Sequence, residues 1–176
     1  YGLSQREFID EFLTEDGNKI KQGLLFRNAK FDDGGIKDGN INSLISEEGL
    51  FTVNNVLKIK SEIDFRISDL DYPEVLPDRP INSSVLGQDV NYYHAQLRWM
   101  PYQAAYPLGN NTENTVKIFN VLSDISNYPI SYHCSIGADR TGFISYLIGA
   151  VLGVSERDLE YDYCFSNFAN IANPKL

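Results

Sequence analysis

The stretch Ile130-Ser131-Tyr132-His133-Cys134-Ser135-Ile136-Gly137-Ala138-Asp139-Arg140-Thr141-Gly142 decides the fold. An apolar run, Ile130 to Tyr132, leads in, and a nearly all-apolar helix pattern from Thr141 to Leu152 leads out. Strand, short loop and helix N-terminus in that order make a pocket for an anion. This pocket has a thiol at its floor, because Cys134 opens the loop.

Each residue of the loop suits that chemistry. Ser135, Ile136, Gly137, Ala138, Asp139 and Arg140 can curl so that successive backbone N–H groups point inward, as a nest for a tetrahedral anion. The positive end of the following helix points at the same spot. Gly137 permits a backbone angle or a close approach that a side chain would block. Arg140 can fork onto two phosphate oxygens, a planar contact that lysine does not reproduce. The same field favours thiolate at Cys134, and Thr141 can donate its hydroxyl to the sulfur. His133 is placed to order the loop through hydrogen bonds. A lone cysteine is commonly a small buried hydrophobe. His, Cys, Gly, Arg, Thr and Gly at these spacings, between strand and helix signals, favour a nucleophile.

The motif resembles the His-Cys-x5-Arg-Ser/Thr signature of cysteine-dependent protein tyrosine phosphatases. Its Gly-x-Asp-Arg-Thr-Gly ending resembles a bacterial and fungal subfamily that includes lipid and phosphoinositide phosphatases. Gly23-Leu24-Leu25-Phe26-Arg27, the strand Ile59 to Arg66 and the junction Leu152-Gly153-Val154-Ser155 resemble other segments of that subfamily. The likeness runs from about Thr14 to about Asn167. It implies an α/β fold with a mostly parallel central sheet flanked by helices, tyrosine-phosphatase-like. It implies one phosphatase domain over residues 1–176, with truncation at either end left open. The implied reaction is attack by Cys134 on phosphorus, a phosphocysteine intermediate held by Arg140 and the loop amides, and hydrolysis. No cofactor and no metal are called for.

A general acid must protonate the leaving oxygen. Asp64 is the first candidate, at the end of an apolar strand pattern and matching the strand aspartate of the subfamily. Asp139, inside the loop, is next, followed by Asp69, Asp71 and Asp89 in an irregular stretch. The subfamily carries lysine where this chain has Ala138, and that lysine is associated with highly charged phosphoinositides. Its replacement favours a phosphotyrosine substrate. Inositol phosphates or phosphoinositides, a pseudo-enzyme that binds phosphorylated partners, and a rhodanese-type sulfurtransferase are the alternatives.

The rest of the chain bounds these readings. With 176 residues, 43% of them apolar, it fits a single domain with a real core. The excess of 24 acidic over 15 basic residues argues against general nucleic-acid binding and against electrostatic attachment to anionic membranes. A local basic rim could still draw on Arg66, Arg79 or Arg98. The partner expected is a phosphorylated protein or small phosphomonoester, with no nucleic acid and no stable membrane insertion; oligomeric state is open. No transmembrane run or signal peptide is visible, and cytoplasmic and exported locations both stay open. Cys134 and Cys164 are expected as free thiols, with Cys164 in the core of the last helix and a redox role for it a minor alternative. Trp99 to Pro107 offers aromatic walls for a phosphotyrosine ring, a surface loop or an oligomer contact.

Expected elements are a helix from Ser4 to about Leu13, a strand or strand pair from Lys19 to Phe26, and a loop at Asp32–Gly35. A helix capped by Ser46 to about Leu57 follows, then strands at Ile59–Phe65 and Asp89–Leu97. Thr112 opens a helix to about Ile125 with Val116, Phe119 and Leu122 inward. Ser155 and Asp158 open the last helix, to about Phe168.

Cysteines at helix N-termini beside cations ionise with pKa values of about 3.5–7.5 rather than about 8.5. Alkylation of Cys134 by iodoacetamide should therefore follow a pH profile with its midpoint below that of a free thiol. A midpoint at the free-thiol value would contradict the nucleophile assignment.

Overall fold

The computed structural model describes residues 6–7, 14–67, 83–98 and 111–165. The strands are β1 (Arg6–Glu7), β2 (Leu25–Asn28), β3 (Asp32–Lys37), β4 (Asn40–Ser43), β5 (Ser61–Asp64), β6 (Asn91–His94) and β7 (Ile130–His133). The α-helices are α1 (Glu47–Phe51), α2 (Thr112–Ser123), α3 (Asp139–Val151) and α4 (Glu156–Phe165). A π-turn, Thr52–Val56, extends α1. The main sheet has the order β1-β2-β7-β5-β6, parallel except for β1, and β3 pairs with β4 as a separate hairpin. The α/β class with a mostly parallel sheet is therefore present, and β7 is its middle strand. No helix among the described residues is long and apolar enough to cross a membrane.

Alternation along the central strands separates two buried faces. Ile63, Phe65, Ile130 and Tyr132 pack with Ile118 and Val121 of α2 and with Ile144 and Ile148 of α3. Glu62, Asp64, Arg66, Ser131 and His133 occupy the alternate positions, yet all are buried. A smaller apolar cluster of Phe26, Phe31, Val53, Ile59 and Leu86 contains Val53 from the π-turn after α1. Burying charge is costly unless it is paired, and this second face is built from such pairs.

Local signals set several element ends. Ser46 caps α1 by accepting from the Gly49 N–H at 3.1 Å. The Ser155 hydroxyl accepts from the Asp158 N–H and donates to its carboxylate at 2.8 Å, which starts α4.

Five expectations need correction. The strand expected from Lys19 to Phe26 begins only at Leu25, in β2. Arg6–Glu7 is a strand paired with Phe26 and Arg27, not part of a helix; the rest of Ser4–Leu13 lies outside the described residues. Asp32–Gly35 falls within β3 through the pairing of Asp32 with Ser43, but the register shifts between Asp32 and Ile36, where the Asp32 and Asp33 carboxylates accept from the Gly34 and Gly35 N–H groups. Asp89 precedes β6, which covers only Asn91–His94. In α2 Phe119 and Leu122 pack against the core beside buried Ile118 and Val121, but Val116, expected inward, is 55% exposed. Truncating Ile118 to Ala should cost about 2–5 kcal/mol, whereas Val116→Ala should change stability by less than about 0.5 kcal/mol. Urea denaturation of the two variants checks the orientation of α2; equal losses would contradict it.

Candidate active site

Asn28, His133, Asp64 and His94 lie side by side at the carboxyl ends of β2, β7, β5 and β6. Open α/β sheets bind ligands at this edge. The chain leaves β7 at His133 and curls through Cys134–Ala138 into α3, bringing together all the loop residues that the sequence singled out. No side chain caps the N-terminus of α3, whose first residues are Asp139, Arg140 and Thr141.

Gly137 has φ of +75°, and a Cβ there would lie 2.5 Å from the carbonyl oxygen of Asn28. Only glycine meets both demands. Ile136 is 61% exposed, Asp139 is exposed, and Ser135, Ala138 and Arg140 are half-buried. Arg140 donates from Nη1 to the Phe65 carbonyl at 3.5 Å, which tethers it to the end of β5.

Cys134 is only 1% exposed. Burial alone would push its thiol up, but the Thr141 hydroxyl, the Arg140 charge and the N–H groups of Thr141 and Gly137 together bring it below the ordinary value. The Thr141 hydroxyl is buried and has no conventional hydrogen-bond partner among the described residues, which leaves it to serve the sulfur. These groups lower the cost of forming a thiolate at a buried sulfur.

Behind the loop lies a buried ionic layer. His133 directs Nδ1 at the Cys134 carbonyl at 3.0 Å and Nε2 at Glu62 Oε1 at 2.7 Å. Both neighbours are acceptors, so the ring fits best as an imidazolium with both nitrogens donating. Burial opposes its charge, but Asp64 and Glu62 outweigh that and raise its pKa. The other oxygen of Glu62 accepts from Ser84. Arg66, fully buried, binds both oxygens of Asp64 and reaches Asp32 at 2.9 Å. Arg66 is thus internal and does not contribute to a basic rim.

Asp64 does not fit the proton-donor role. It is fully buried, and Arg66 and the Tyr92 hydroxyl (2.6 Å) hold it. Burial would raise its pKa, but the charges of His133 and Arg66 and these hydrogen bonds take it far below the usual carboxylate range. A carboxylate held ionised has no proton to give. Asp89 is exposed before β6, and Asp69, Asp71, Arg79 and the Trp99–Pro107 loop lie outside the described residues. Cys164 is exposed on α4, not in the core.

Sequence reasoning passed over Glu62 and Asp32, and gave Arg27 no role beyond its place in a family-like segment. Arg27 donates to the loop carbonyls of Gly137 and Ala138 and pairs with Asp162 of α4. Polar residues alternating with Ile63 and Phe65 were the available signal for Glu62.

A profile described as "Tyrosine phosphatase family" matches residues 9–175. The chain belongs to the tyrosine phosphatase family. It is a cysteine-dependent phosphatase. No curated protein sequence gives a significant match. The core catalytic domain of the PP-IP phosphatase SIW14 from S. cerevisiae, in complex with citrate, is similar in structure, with TM-score 0.53 and 20% identity over 88% of this chain and 74% of that one. That likeness supports the shared fold. A second structure of the Siw14 catalytic core gives TM-score 0.49 at 20% identity, over 76% of this chain and 70% of that one. P. aeruginosa TpbA gives 0.46 at 14% identity, over 80% and 68%.

The ionic layer predicts how stability varies with pH. The depressed Asp64 pKa contributes stability that is present above the unfolded value of about 3.9 and is lost as pH falls toward the folded value. The raised His133 pKa contributes stability present below about 6.5 and lost as pH rises through the folded value. Urea midpoints should therefore be highest between about pH 4 and 6.5. Asp64→Asn should lose about 3–5 kcal/mol and flatten the acid limb. An unchanged acid limb in this variant would contradict the assignment.

Proposed function

We propose that this phosphatase hydrolyses phosphomonoesters through a phosphocysteine, with phosphotyrosine in proteins as its substrate class. The observation that carries the proposal is the buried Cys134, whose thiol is driven toward thiolate by Thr141, Arg140 and the Gly137 N–H. The sulfur attacks phosphorus in line; the S–P bond forms as the bond to the leaving oxygen breaks. Arg140 and the loop N–H groups bind the three equatorial oxygens, where charge stabilisation contributes most. Water then attacks phosphorus, the S–P bond breaks and phosphate departs. The loop supplies the positive field itself, so the reaction needs no metal.

With Asp64 held as a buried anion, Asp139 takes the role of general acid. It is exposed at the first position of α3, next to Arg140. Its proton passes to the leaving oxygen in the first step, and water returns one in the second. The substrate class follows from the character of the loop. Exposed Ile136 and half-buried Ala138 offer apolar surface and no added cation, and the chain is acidic overall. An aryl ester carrying one phosphate fits that surface better than a polyanion. The fold shared with a PP-IP phosphatase keeps phosphorylated inositols as the second reading.

Hydrolysis of para-nitrophenyl phosphate in EDTA and reductant should fall to background in Cys134→Ser and be blocked by vanadate in the wild type. Asp139→Asn should lower turnover of an alkyl phosphate by roughly 10²–10⁴-fold and affect the nitrophenyl ester much less. Phosphotyrosine peptides should be turned over faster than inositol phosphates. Retained activity in Cys134→Ser would reject the mechanism, and faster turnover of inositol phosphates would move the substrate to the second reading.

A further inference from the structure

We propose that Arg27, held by Asp162, is a positioning residue that fixes the orientation of the peptides binding the phosphoryl group. The inference rests on the reading of the loop as an oxyanion site. Arg27 donates from Nε to the Gly137 carbonyl at 3.0 Å and from Nη2 to the Ala138 carbonyl at 3.2 Å. Its Nη1 pairs with Asp162 of α4 at 2.9 Å, and both side chains are mostly buried, at 11% and 15% exposure.

A peptide unit is planar and trans, so its carbonyl and its N–H point in opposite directions. The Gly137 carbonyl shares a peptide with the Ala138 N–H, and the Ala138 carbonyl shares one with the Asp139 N–H. Holding these two carbonyls outward therefore aims those two N–H groups into the loop. The restraint matters because Gly137 lacks the Cβ that limits rotation of its flanking peptides. A flipped peptide would present a carbonyl oxygen to the anion and repel it. The Ser135 carbonyl is held in the same sense by the Lys30 N–H at 3.2 Å. Gly142 leaves room for the guanidinium: a Cβ there would lie 3.0 Å from Arg27 Nη2.

The clamp is separable from thiolate formation. The Gly137 N–H that favours the Cys134 thiolate belongs to the peptide before Gly137, and Thr141 and Arg140 also lie outside the clamped peptides. Loss of the clamp should weaken oxyanion binding and leave the thiolate in place.

The test measures vanadate inhibition, KM and kcat for para-nitrophenyl phosphate, and the pH midpoint of alkylation, in Arg27→Ala, Arg27→Lys and Asp162→Ala. Arg27→Ala should bind vanadate at least roughly tenfold more weakly and raise KM, with the alkylation midpoint unchanged. Arg27→Lys, which lacks the planar fork, should show an intermediate loss, and added guanidinium should restore part of the Arg27→Ala defect. If Arg27→Ala does not fold, the lysine and Asp162→Ala variants carry the same comparison. Wild-type vanadate affinity in the folded variants would overturn the proposal. So would a loss matched by a rise in the alkylation midpoint, which would mean that the loop as a whole had collapsed. Failure of the wild type to bind vanadate would remove the oxyanion-site reading itself.

Discussion

A loop that turns its N–H groups toward one point must turn its carbonyls away, and those carbonyls need partners. That constraint organises the structure around Cys134. The Cys134 carbonyl faces His133 Nδ1, the Ser135 carbonyl accepts from Lys30, and the Gly137 and Ala138 carbonyls accept from Arg27. The Ala138 carbonyl also accepts from the Gly142 N–H in the first turn of α3, at 2.7 Å. The donors come from β2, from the residues just after it, from the end of β7 and from α3. The conformation of the Cys134–Ala138 loop is therefore maintained by the strands beneath it as much as by its own residues.

The same logic accounts for the charged face of the sheet. An imidazolium at His133 donates to the Cys134 carbonyl only if its charge is offset, and Glu62 and Asp64 offset it. Two neighbouring carboxylates call for a further cation, which Arg66 supplies while also binding Asp32 of the hairpin. Buried ion pairs often add little net stability over apolar packing, but removing one member leaves an uncompensated charge. The layer ties the hairpin, β5 and β7 to one geometry at the floor of the site.

Local patterns in the sequence displayed much of this. The strand–loop–helix order and the Cys134 to Thr141 spacing marked the turn from β7 into α3, because every group involved lies within one short segment. Ser46 and Ser155 marked their helices through contacts to residues three positions away. What stayed hidden depends on partners distant along the chain. Arg66 looked like a surface cation until Asp32, 34 residues away, was seen to hold it. Asp64 looked like an acid because, of the groups that hold it ionised, only Arg66 is near in sequence, whereas Tyr92 and His133 are far along the chain. Asp32–Gly35 resembled a loop because its residues do form local turn-like hydrogen bonds, and only the distant partner Ser43 of β4 makes Asp32 part of a strand. Cys164 sits among aromatic residues in sequence, yet its side of α4 faces outward.

The most direct measurement of the central claim is acid quenching during turnover of para-nitrophenyl phosphate, followed by mass spectrometry of the peptide carrying Cys134. The account predicts a phosphoryl group on Cys134 that accumulates during turnover, is absent without substrate, and disappears when substrate is exhausted. Turnover with no phosphorylated Cys134, or with the phosphoryl group on another residue, would contradict it.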